Sequence, residues 1–143
     1  MSHKKIFIIE DDANILYGLE AQFSNSGLEV EVSEAEEETE ELMDNLREFQ
    51  PDFIVLDLIL PKIDGFDIIK RLKADDELND KQIFIFTDLS DADSRQRSLE
   101  MGADYVFFKD DFDTFQFAEK VLKIVDNQEK SGDNDDDDEQ MID

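Results

Sequence analysis

The chain has 143 residues, which suits one domain with a sizeable core, and 40 % of them are hydrophobic. Its formal net charge of −26 disfavours binding to nucleic acid and to anionic membrane surfaces, and it favours cations and basic partners. Because the sequence has no cysteine and a single histidine, His3, near its start, we expect neither disulfides nor thiolate metal sites nor histidine-dependent catalysis.

The pattern of apolar residues predicts five strands and five helices. Short apolar runs predict strands, and apolar residues three or four positions apart predict helices. Gly27 and Gly102 end two of the helical patterns. In chain order, the predicted elements are a strand at residues 4–10, a helix around 15–23, a strand at 28–32, a helix at 34–49, a strand at 53–56, a helix around 66–72, a strand at 83–86, a helix at 91–101, a strand at 105–108 and a helix around 115–125.

Regular alternation of strand and helix predicts an α/β fold, with a doubly wound five-stranded parallel sheet covered by five helices. The central strands lack polar alternation, as is typical of strands buried on both faces. The residues expected to form the buried face of the last helix are Phe115, Ala118, Leu122 and Val125. In such sheets ligands bind beyond the carboxyl ends of the strands, near a reversal of strand order. We therefore expect the functional residues at that edge.

The C-terminal residues differ in composition from the rest of the chain. Residues 129–143 are mostly acidic or polar, so we expect a disordered tail there and assign residues 1–128 to the folded domain. An EF-hand is not expected, because the segment has no mid-loop glycine, spaced terminal glutamate or flanking helix pair. An electrostatic tether for a partner is the alternative interpretation of the tail. No apolar run suits a membrane span or a signal-peptide core, so we expect a cytoplasmic protein.

Five polar residues stand at the predicted carboxyl ends of the strands: Glu10, Asp11, Asp57, Thr87 and Lys109. Taken singly, each has a structural explanation, since aspartates cap helices, threonines bond to turns and lysines extend to solvent. Asp57, however, ends an otherwise apolar run, and a buried carboxylate requires compensation. Because all five would face one crevice, we expect a functional site there.

Charge predicts the chemistry of this crevice. Three neighbouring carboxylates repel one another, and Lys109 offsets one negative charge at most. A divalent cation would offset the others, and oxygen ligands with retained waters suit Mg²⁺. Asp57 would then be able to attack an incoming phosphorus, while Lys109 and Thr87 bind the phosphoryl oxygens. The product would be an acyl phosphate on Asp57, which adds a charge of roughly −1.5 to −2.

These residues lie in four stretches that resemble the motifs of response-regulator receiver domains of two-component signalling. The stretches are an acidic pair at residues 8–12, a phosphoacceptor segment at 56–65, a switch hydroxyl at 84–87 and a lysine motif at 102–109. The resemblance covers residues 4–126 and implies the flavodoxin-like receiver topology. It also implies that Asp11, Asp57 and the Ile59 carbonyl bind Mg²⁺ directly, with Glu10 acting through water.

The resemblance implies a signalling role. A histidine kinase or phosphotransfer protein would donate the phosphoryl group to Asp57. The domain would then bind a downstream protein through its fourth and fifth elements, or pass the group onward in a phosphorelay. It would not be an enzyme beyond self-phosphorylation and self-dephosphorylation. Because no output domain follows the last predicted helix, we expect a stand-alone regulator.

Three positions depart from the family pattern. Asp88 stands where a small residue usually follows the switch hydroxyl, and Asp110 stands where a proline with a cis bond usually follows the lysine. A non-proline cis bond is unfavourable, so this loop is expected to be either strained or trans. Val106 occupies the place of the switch aromatic, and Tyr105 before it would face the other side of the sheet. We therefore expect phosphorylation to be retained and the coupling of Thr87 to an aromatic ring to be weak.

Two alternatives to the phosphoacceptor hypothesis fit part of the same sequence pattern. A degenerate receiver would act as a phosphorylation-independent docking module, which Asp88, Val106 and Asp110 favour. A phosphatase of the haloacid-dehalogenase type also uses an aspartyl nucleophile, a threonine and a lysine. It is disfavoured because Ile59 stands where its second acid belongs, and because its metal-binding acids would follow the lysine rather than precede it.

Overall fold

The computed structural model describes residues 4–130, in which five strands alternate with five helices. The strands are β1 (Lys5–Ile9), β2 (Glu29–Ser33), β3 (Phe53–Leu56), β4 (Gln82–Thr87) and β5 (Tyr105–Phe108). The helices are α1 (Ala13–Asn25), α2 (Thr39–Phe49), α3 (Gly65–Ala74), α4 (Ala92–Met101) and α5 (Thr114–Lys130). The predicted number, type and order of the elements are confirmed.

All five strands pair in parallel, in the order β2-β1-β3-β4-β5. β1 pairs with both β2 and β3, so the direction in which successive strands are added reverses at β1. The prediction of a doubly wound parallel sheet is therefore confirmed. In this topology the crevice for ligands lies at the carboxyl ends of β1 and β3.

The sheet has a hydrophobic cluster on each face, because successive strand residues point to opposite sides. Phe7 and Ile9 of β1 join the cluster under α2, α3 and α4, while Ile6 and Ile8 join the one under α1 and α5. All four residues are buried. These two dry layers hold the strand ends in place and thereby position the loops that follow them.

Aspartates cap four helices at the carboxyl edge of the sheet. Their side chains accept hydrogen bonds from backbone N–H groups in the first turns of α1, α3, α4 and α5, and the four residues are Asp12, Asp64, Asp91 and Asp113. Such caps satisfy N–H groups that have no partner within the helix. Part of the negative charge at the carboxyl edge of the sheet therefore serves to stabilise the helix N-termini.

Helix α2 begins at Thr39 rather than at residue 34, so the predicted start was wrong. The Ser33 hydroxyl accepts a hydrogen bond from the Ala35 N–H and donates to the Glu37 carboxylate. Ala35 has a φ of 63°, in the left-handed region, which is incompatible with a helix. These side-chain hydrogen bonds compete with helical backbone hydrogen bonds, so the first turn of α2 forms further along the chain than predicted.

The predicted buried face of α5 was wrong at Phe115, which is 53 % exposed. Phe117 is buried in its place and stacks on Phe86 of β4, with ring centroids 4.1 Å apart. This contact sets the rotation of α5 about its axis. Ala118 and Val125 are buried as predicted.

Two sequence predictions fall outside the described residues. His3 precedes them, and residues 131–143 of the predicted acidic tail follow them. Residues 129 and 130, which we assigned to the tail, belong to α5. Within the part of the chain that the structure describes, no helix is both long and apolar enough to cross a lipid bilayer.

Gly65 allows the loop after β3 to fold back on itself, and we expect Gly65→Ala to destabilise the protein. A Cβ atom there would lie 2.5 Å from the Leu58 Cα and 2.7 Å from the Asp57 carbonyl oxygen. These are backbone atoms, which cannot move aside without distorting the loop. We therefore expect a loss of about 1–3 kcal/mol in the free energy of unfolding, measured with urea.

Gly18→Ala is the matched control. A Cβ at Gly18 of α1 would meet only the Thr114 methyl group, at 3.3 Å. Alanine is favoured over glycine in a helix by about 1 kcal/mol, so this variant should lose little stability or gain some. Equal urea midpoints for the two variants would contradict the close approach at Gly65.

Candidate functional site

The strand order brings the predicted site residues to one edge of the sheet. Glu10 directly follows β1, Asp57 follows β3, Thr87 ends β4 and Lys109 follows β5. These four strands are consecutive neighbours in the sheet. Backbone hydrogen bonds continue past the strands, from Asp57 N–H to the Ile9 carbonyl and from Lys109 N–H to the Thr87 carbonyl. The loops therefore leave the sheet in register.

Lys109 joins two buried carboxylates. Its Nζ lies 2.9 Å from Asp57 Oδ2 and 3.0 Å from Glu10 Oε1. The side chains are almost inaccessible to solvent, at 10 % for Lys109, 4 % for Asp57 and 3 % for Glu10. The ammonium group is thus directed into the crevice rather than extended to solvent.

The acidic residues form a group that could hold a metal ion. Oxygen atoms of Glu10, Asp11 and Asp57 all lie within 4.8 Å of one another. Glu10 and Asp57 are buried, whereas Asp11 is exposed at the mouth of the crevice. The N–H of Ile59 donates a hydrogen bond to Asp57 Oδ1 at 3.1 Å, and the Ile59 side chain is half exposed. Asp57 is therefore oriented from both sides, by a backbone N–H and by Lys109.

Burial and charge shift two pKa values in this group. The pKa of Glu10 is raised from 4.5 to about 7, mainly by burial and secondly by repulsion from Asp57. Lys109 and the Asp12 N–H act in the opposite direction without restoring the ordinary pKa. Burial lowers the pKa of Lys109, but its hydrogen bonds and attraction to Asp57 and Glu10 outweigh burial, so its pKa is raised. The site thus holds more negative charge than one lysine neutralises.

Thr87 lies at the same edge but bonds to its own turn. Its hydroxyl oxygen accepts a hydrogen bond from the Leu89 N–H at 3.2 Å, and the side chain is fully buried. Within residues 4–130, no hydrogen bond joins this hydroxyl to Asp57 or Lys109. Thr87 therefore bonds to the turn that follows it, as the structural explanation predicted. Because its hydroxyl oxygen acts as the acceptor in this bond, its O–H group can still donate to another acceptor.

Tyr105 faces away from the side of the sheet on which Val106 lies, as predicted. The Tyr105 ring stacks on Phe84, with centroids 4.9 Å apart, in the cluster covered by α1 and α5. Val106 packs in the cluster on the opposite face, with Leu89. The two residues cannot exchange places without a change of strand register, because side chains alternate strictly between faces.

Sequence reasoning missed the connection between two loops at this edge. The Ser90 hydroxyl donates a hydrogen bond to Asp110 Oδ2 at 3.2 Å, which links the loop after β4 to the loop after β5. The described chain contains no cis peptide bond, so the Lys109–Asp110 bond is trans. Two polar residues twenty positions apart carry no local signal of pairing, and only the adjacency of β4 and β5 brings them together.

Comparison with known proteins matches this arrangement to a family. A family model described as a response regulator receiver domain matches residues 6–121. A probable transcriptional regulator, ycf27, of Porphyridium aerugineum is 31 % identical over 134 residues, which cover 94 % of this chain and 53 % of that protein. The transcriptional regulatory protein PrrA of Mycobacterium leprae is 32 % identical over 124 residues, 87 % of this chain and 49 % of PrrA. This chain spans about half the length of these curated relatives.

Solved structures show the same fold. A CheY-like response regulator receiver domain from Methanospirillum hungatei superposes with a TM-score of 0.75 at 23 % identity. The match covers 91 % of this chain and 99 % of that one. At 23 % identity, this similarity shows that the two chains share the same fold.

The raised pKa of Glu10 predicts a pH-dependent effect of Glu10→Gln in metal-free buffer. Between about pH 4.5 and 7 the folded chain retains a proton on Glu10 that the unfolded chain has released, so ionisation weakens folding as the pH rises. Glutamine cannot ionise. At pH 4.5 we expect the variant and the parent to have similar free energies of unfolding in urea. At pH 8 we expect the free energy of unfolding of the variant to be higher than that of the parent by up to about 3 kcal/mol.

The control is Glu31→Gln, which removes the same charge from an exposed position on β2. We expect it to change the free energy of unfolding by less than about 0.5 kcal/mol at either pH. An equal gain from both variants would mean that total charge, rather than the burial of Glu10, limits stability.

Proposed function

This chain belongs to the family of response regulator receiver domains, the signalling domains of two-component systems, and on that premise we propose that it accepts a phosphoryl group on Asp57. The donor would be a histidine kinase or a phosphotransfer protein. The modified domain would signal by binding a downstream protein or by passing the group onward. A cytoplasmic location, consistent with the lack of cysteine, is part of the proposal.

One observation carries the proposal. Asp57 is a buried carboxylate, and the Lys109 ammonium group lies 2.9 Å from it. Oxygen atoms of Glu10 and Asp11 lie within 4.8 Å of an Asp57 oxygen, close enough for the three residues to bind one metal ion. A purely structural aspartate at a strand end would be expected to cap a helix or bond to its own turn, as Asp12 and Asp64 do. Asp57 also bonds to its own turn, because its Oδ1 accepts a hydrogen bond from the Ile59 N–H, but its Oδ2 accepts one from Lys109, which follows another strand. This second contact suits a role in chemistry.

The side chains present fit a magnesium ion. Glu10, Asp11 and Asp57 offer carboxylate oxygens, the ligands that Mg²⁺ prefers. We assign direct ligation to Asp11, Asp57 and the Ile59 carbonyl, and ligation through water to Glu10. When bound, Mg²⁺ would offset the charge of the acids and of the phosphoryl oxygens.

The residues of the chain have separable roles in the transfer. A lone pair on an Asp57 oxygen forms the new O–P bond while the N–P bond to the donor histidine breaks, and the electron pair of that bond leaves with the imidazole. The Ile59 N–H and Lys109 orient the Asp57 carboxylate beforehand. Lys109 would then pair with a phosphoryl oxygen, and Thr87, whose O–H proton is available, would donate to another.

The output surface that we propose is formed by α4, β5 and α5. Leu99 of α4 and Phe115 of α5 are large apolar side chains that are 38 % and 53 % exposed. All four residues of β5 are partly exposed as well. Apolar groups at the surface of so highly charged a chain support a protein-binding role for this face.

A phosphorylation-independent docking module is the second candidate. It is favoured by two observations at β5. Valine, at position 106, stands where the family has its switch aromatic, and the neighbouring ring of Tyr105 packs against Phe84 on the other face of the sheet. The two candidates differ in whether Asp57 is modified at all. The intact ion pair between Lys109 and Asp57 supports the phosphoacceptor role.

Labelling tests the proposed function directly. We expect incubation with phosphoramidate and Mg²⁺ to add one phosphoryl group, detected by intact mass, and chelation of Mg²⁺ to abolish the addition. Asp57→Asn keeps the shape of the side chain but removes the nucleophile, so it should reduce labelling at least 100-fold. Asp76→Asn, an exposed site in the loop after α3, is the control and should label normally. Equal labelling of the Asp57 variant would refute the assignment.

The position of Tyr105 predicts how the domain responds to a phosphoryl mimic. On adding beryllium fluoride with Mg²⁺, we expect the Leu89 amide resonance to shift, because Thr87 bonds to that amide. The nuclear Overhauser contacts between the Tyr105 and Phe84 rings should persist. Loss of those contacts together with new ones to Thr87 would contradict weak coupling, and Asp57→Asn should show neither change.

A further inference from the structure

Negative charge is concentrated in the five loops at the carboxyl edge of the sheet. These loops contain fourteen acidic residues and two lysines, a formal charge of −12. The four loops at the opposite edge contain six acidic residues and one lysine, a formal charge of −5. The loops of the carboxyl edge are residues 10–12, 34–38, 57–64, 88–91 and 109–113. Any phosphoryl donor must approach Asp57 through this field.

Both lysines of these loops are already paired with carboxylates. Lys62 pairs with Glu36 at 3.2 Å, and Lys109 pairs with Glu10 and Asp57. Helix capping explains only four of the acids, whose side chains accept hydrogen bonds at helix N-termini: Asp12, Asp64, Asp91 and Asp113. Most of the remaining negative charge is therefore uncompensated by any cation in these loops.

Two of these acids lie next to the residues proposed to bind the phosphoryl group. Asp88 follows Thr87, and Asp110 follows Lys109. Both are exposed; Asp110 accepts a hydrogen bond from the neutral Ser90 hydroxyl, and neither carboxylate takes part in an ion pair among residues 4–130. Neighbouring strands lie about 4.8 Å apart, which places Asp88 within about 10 Å of Asp57. That is within the Debye length at about 0.1 M salt.

We propose that this acidic edge selects the phosphoryl donor by charge, slowing transfer from small anionic phosphodonors and favouring a protein whose phosphohistidine is surrounded by basic residues. The inference rests on the proposed function and adds the chemical class of the donor. Asp88 and Asp110 are specificity-determining residues in this view, because they act on the approaching donor and not on the bond that forms. Each would repel a dianion entering the crevice and attract a lysine or arginine beside the donor histidine.

Small donors test the repulsive half of the proposal. In the reaction with acetyl phosphate, an Asp57 oxygen forms the O–P bond, the P–O bond to the acetyl group breaks, and acetate leaves with the electron pair. We expect Asp88→Asn and Asp110→Asn each to accelerate this labelling roughly three- to tenfold at low salt. Phosphoramidate, which carries one negative charge less than acetyl phosphate, should respond less. Asparagine keeps the side-chain shape, and the Asp110 variant can still accept the Ser90 hydrogen bond.

Salt provides an independent measurement. Added KCl should speed acetyl phosphate labelling of the parent chain, because it screens the acids, and should affect the double variant less. Mg²⁺ is kept saturating at each salt concentration, as checked by titration, so that weaker metal binding does not mask the effect. Asp76→Asn carries the same charge change at the opposite edge and should leave every rate unchanged.

Peptide donors test the attractive half. Two synthetic peptides carry one phosphohistidine each, flanked by lysines in one and by glutamates in the other. We expect the lysine-flanked peptide to label Asp57 at least tenfold faster at low salt, and the difference to shrink with KCl and in the double variant.

The outcomes separate the two proposals. If Asp57 is labelled but neither the variants, nor salt, nor the peptide flanks change the rates, the charge selection is wrong and the phosphoacceptor role stands. If no donor labels Asp57 under any condition, both fail. Faster labelling of the variants by acetyl phosphate together with slower labelling by the lysine-flanked peptide supports selection by charge.

Discussion

The shared ion pair of Lys109 with Glu10 and Asp57 is the interaction on which the proposed chemistry of this edge depends. One ammonium group faces two carboxylates that are almost completely removed from water. Burying charges is expensive unless they are paired, and here the pairing is incomplete by one charge. Burial and the charge of Asp57 explain why Glu10 ionises only near neutral pH. The exposed Asp11 at the mouth brings a third carboxylate within 4.8 Å of the other two, and the three together form a group that could hold a metal ion.

This cluster is held in place by a scaffold with little freedom to adjust. The strands that carry it are buried on both faces, and aromatic contacts such as Phe86 against Phe117 fix the helices over them. Close packing resists movement of the strand ends, whereas the loops beyond them carry the polar groups. Gly65 permits the loop after β3 to fold tightly behind Asp57. Rigid strands and short loops together place charged groups that follow three strands, β1, β3 and β5, within contact distance.

The departures from the family pattern affect different levels of the structure. In the proposed function, Tyr105 and Val106 would affect the coupling between Thr87 and the output surface, because Tyr105 packs in the hydrophobic cluster under α1 and α5. Asp88 and Asp110 concern the approach to the site, because both are exposed and lie beside residues that would contact the phosphoryl group. The ion pair and the acidic group are unaffected by either. The proposed chemistry, donor access and output therefore involve different residues of this domain.

Local patterns in the sequence determined the class and order of the elements, because the periodicity of apolar residues reports directly on strands and helices. They also determined which polar residues stand at the strand ends, since in a parallel sheet all those ends share one edge. The start of α2 and the rotation of α5 were decided by tertiary contacts, through the Ser33 hydrogen bonds and the stacking of Phe117 on Phe86. Only the fold decided which charges compensate one another. Lys109 and Glu10 are 99 residues apart, and no local pattern indicates that their side chains share a buried contact.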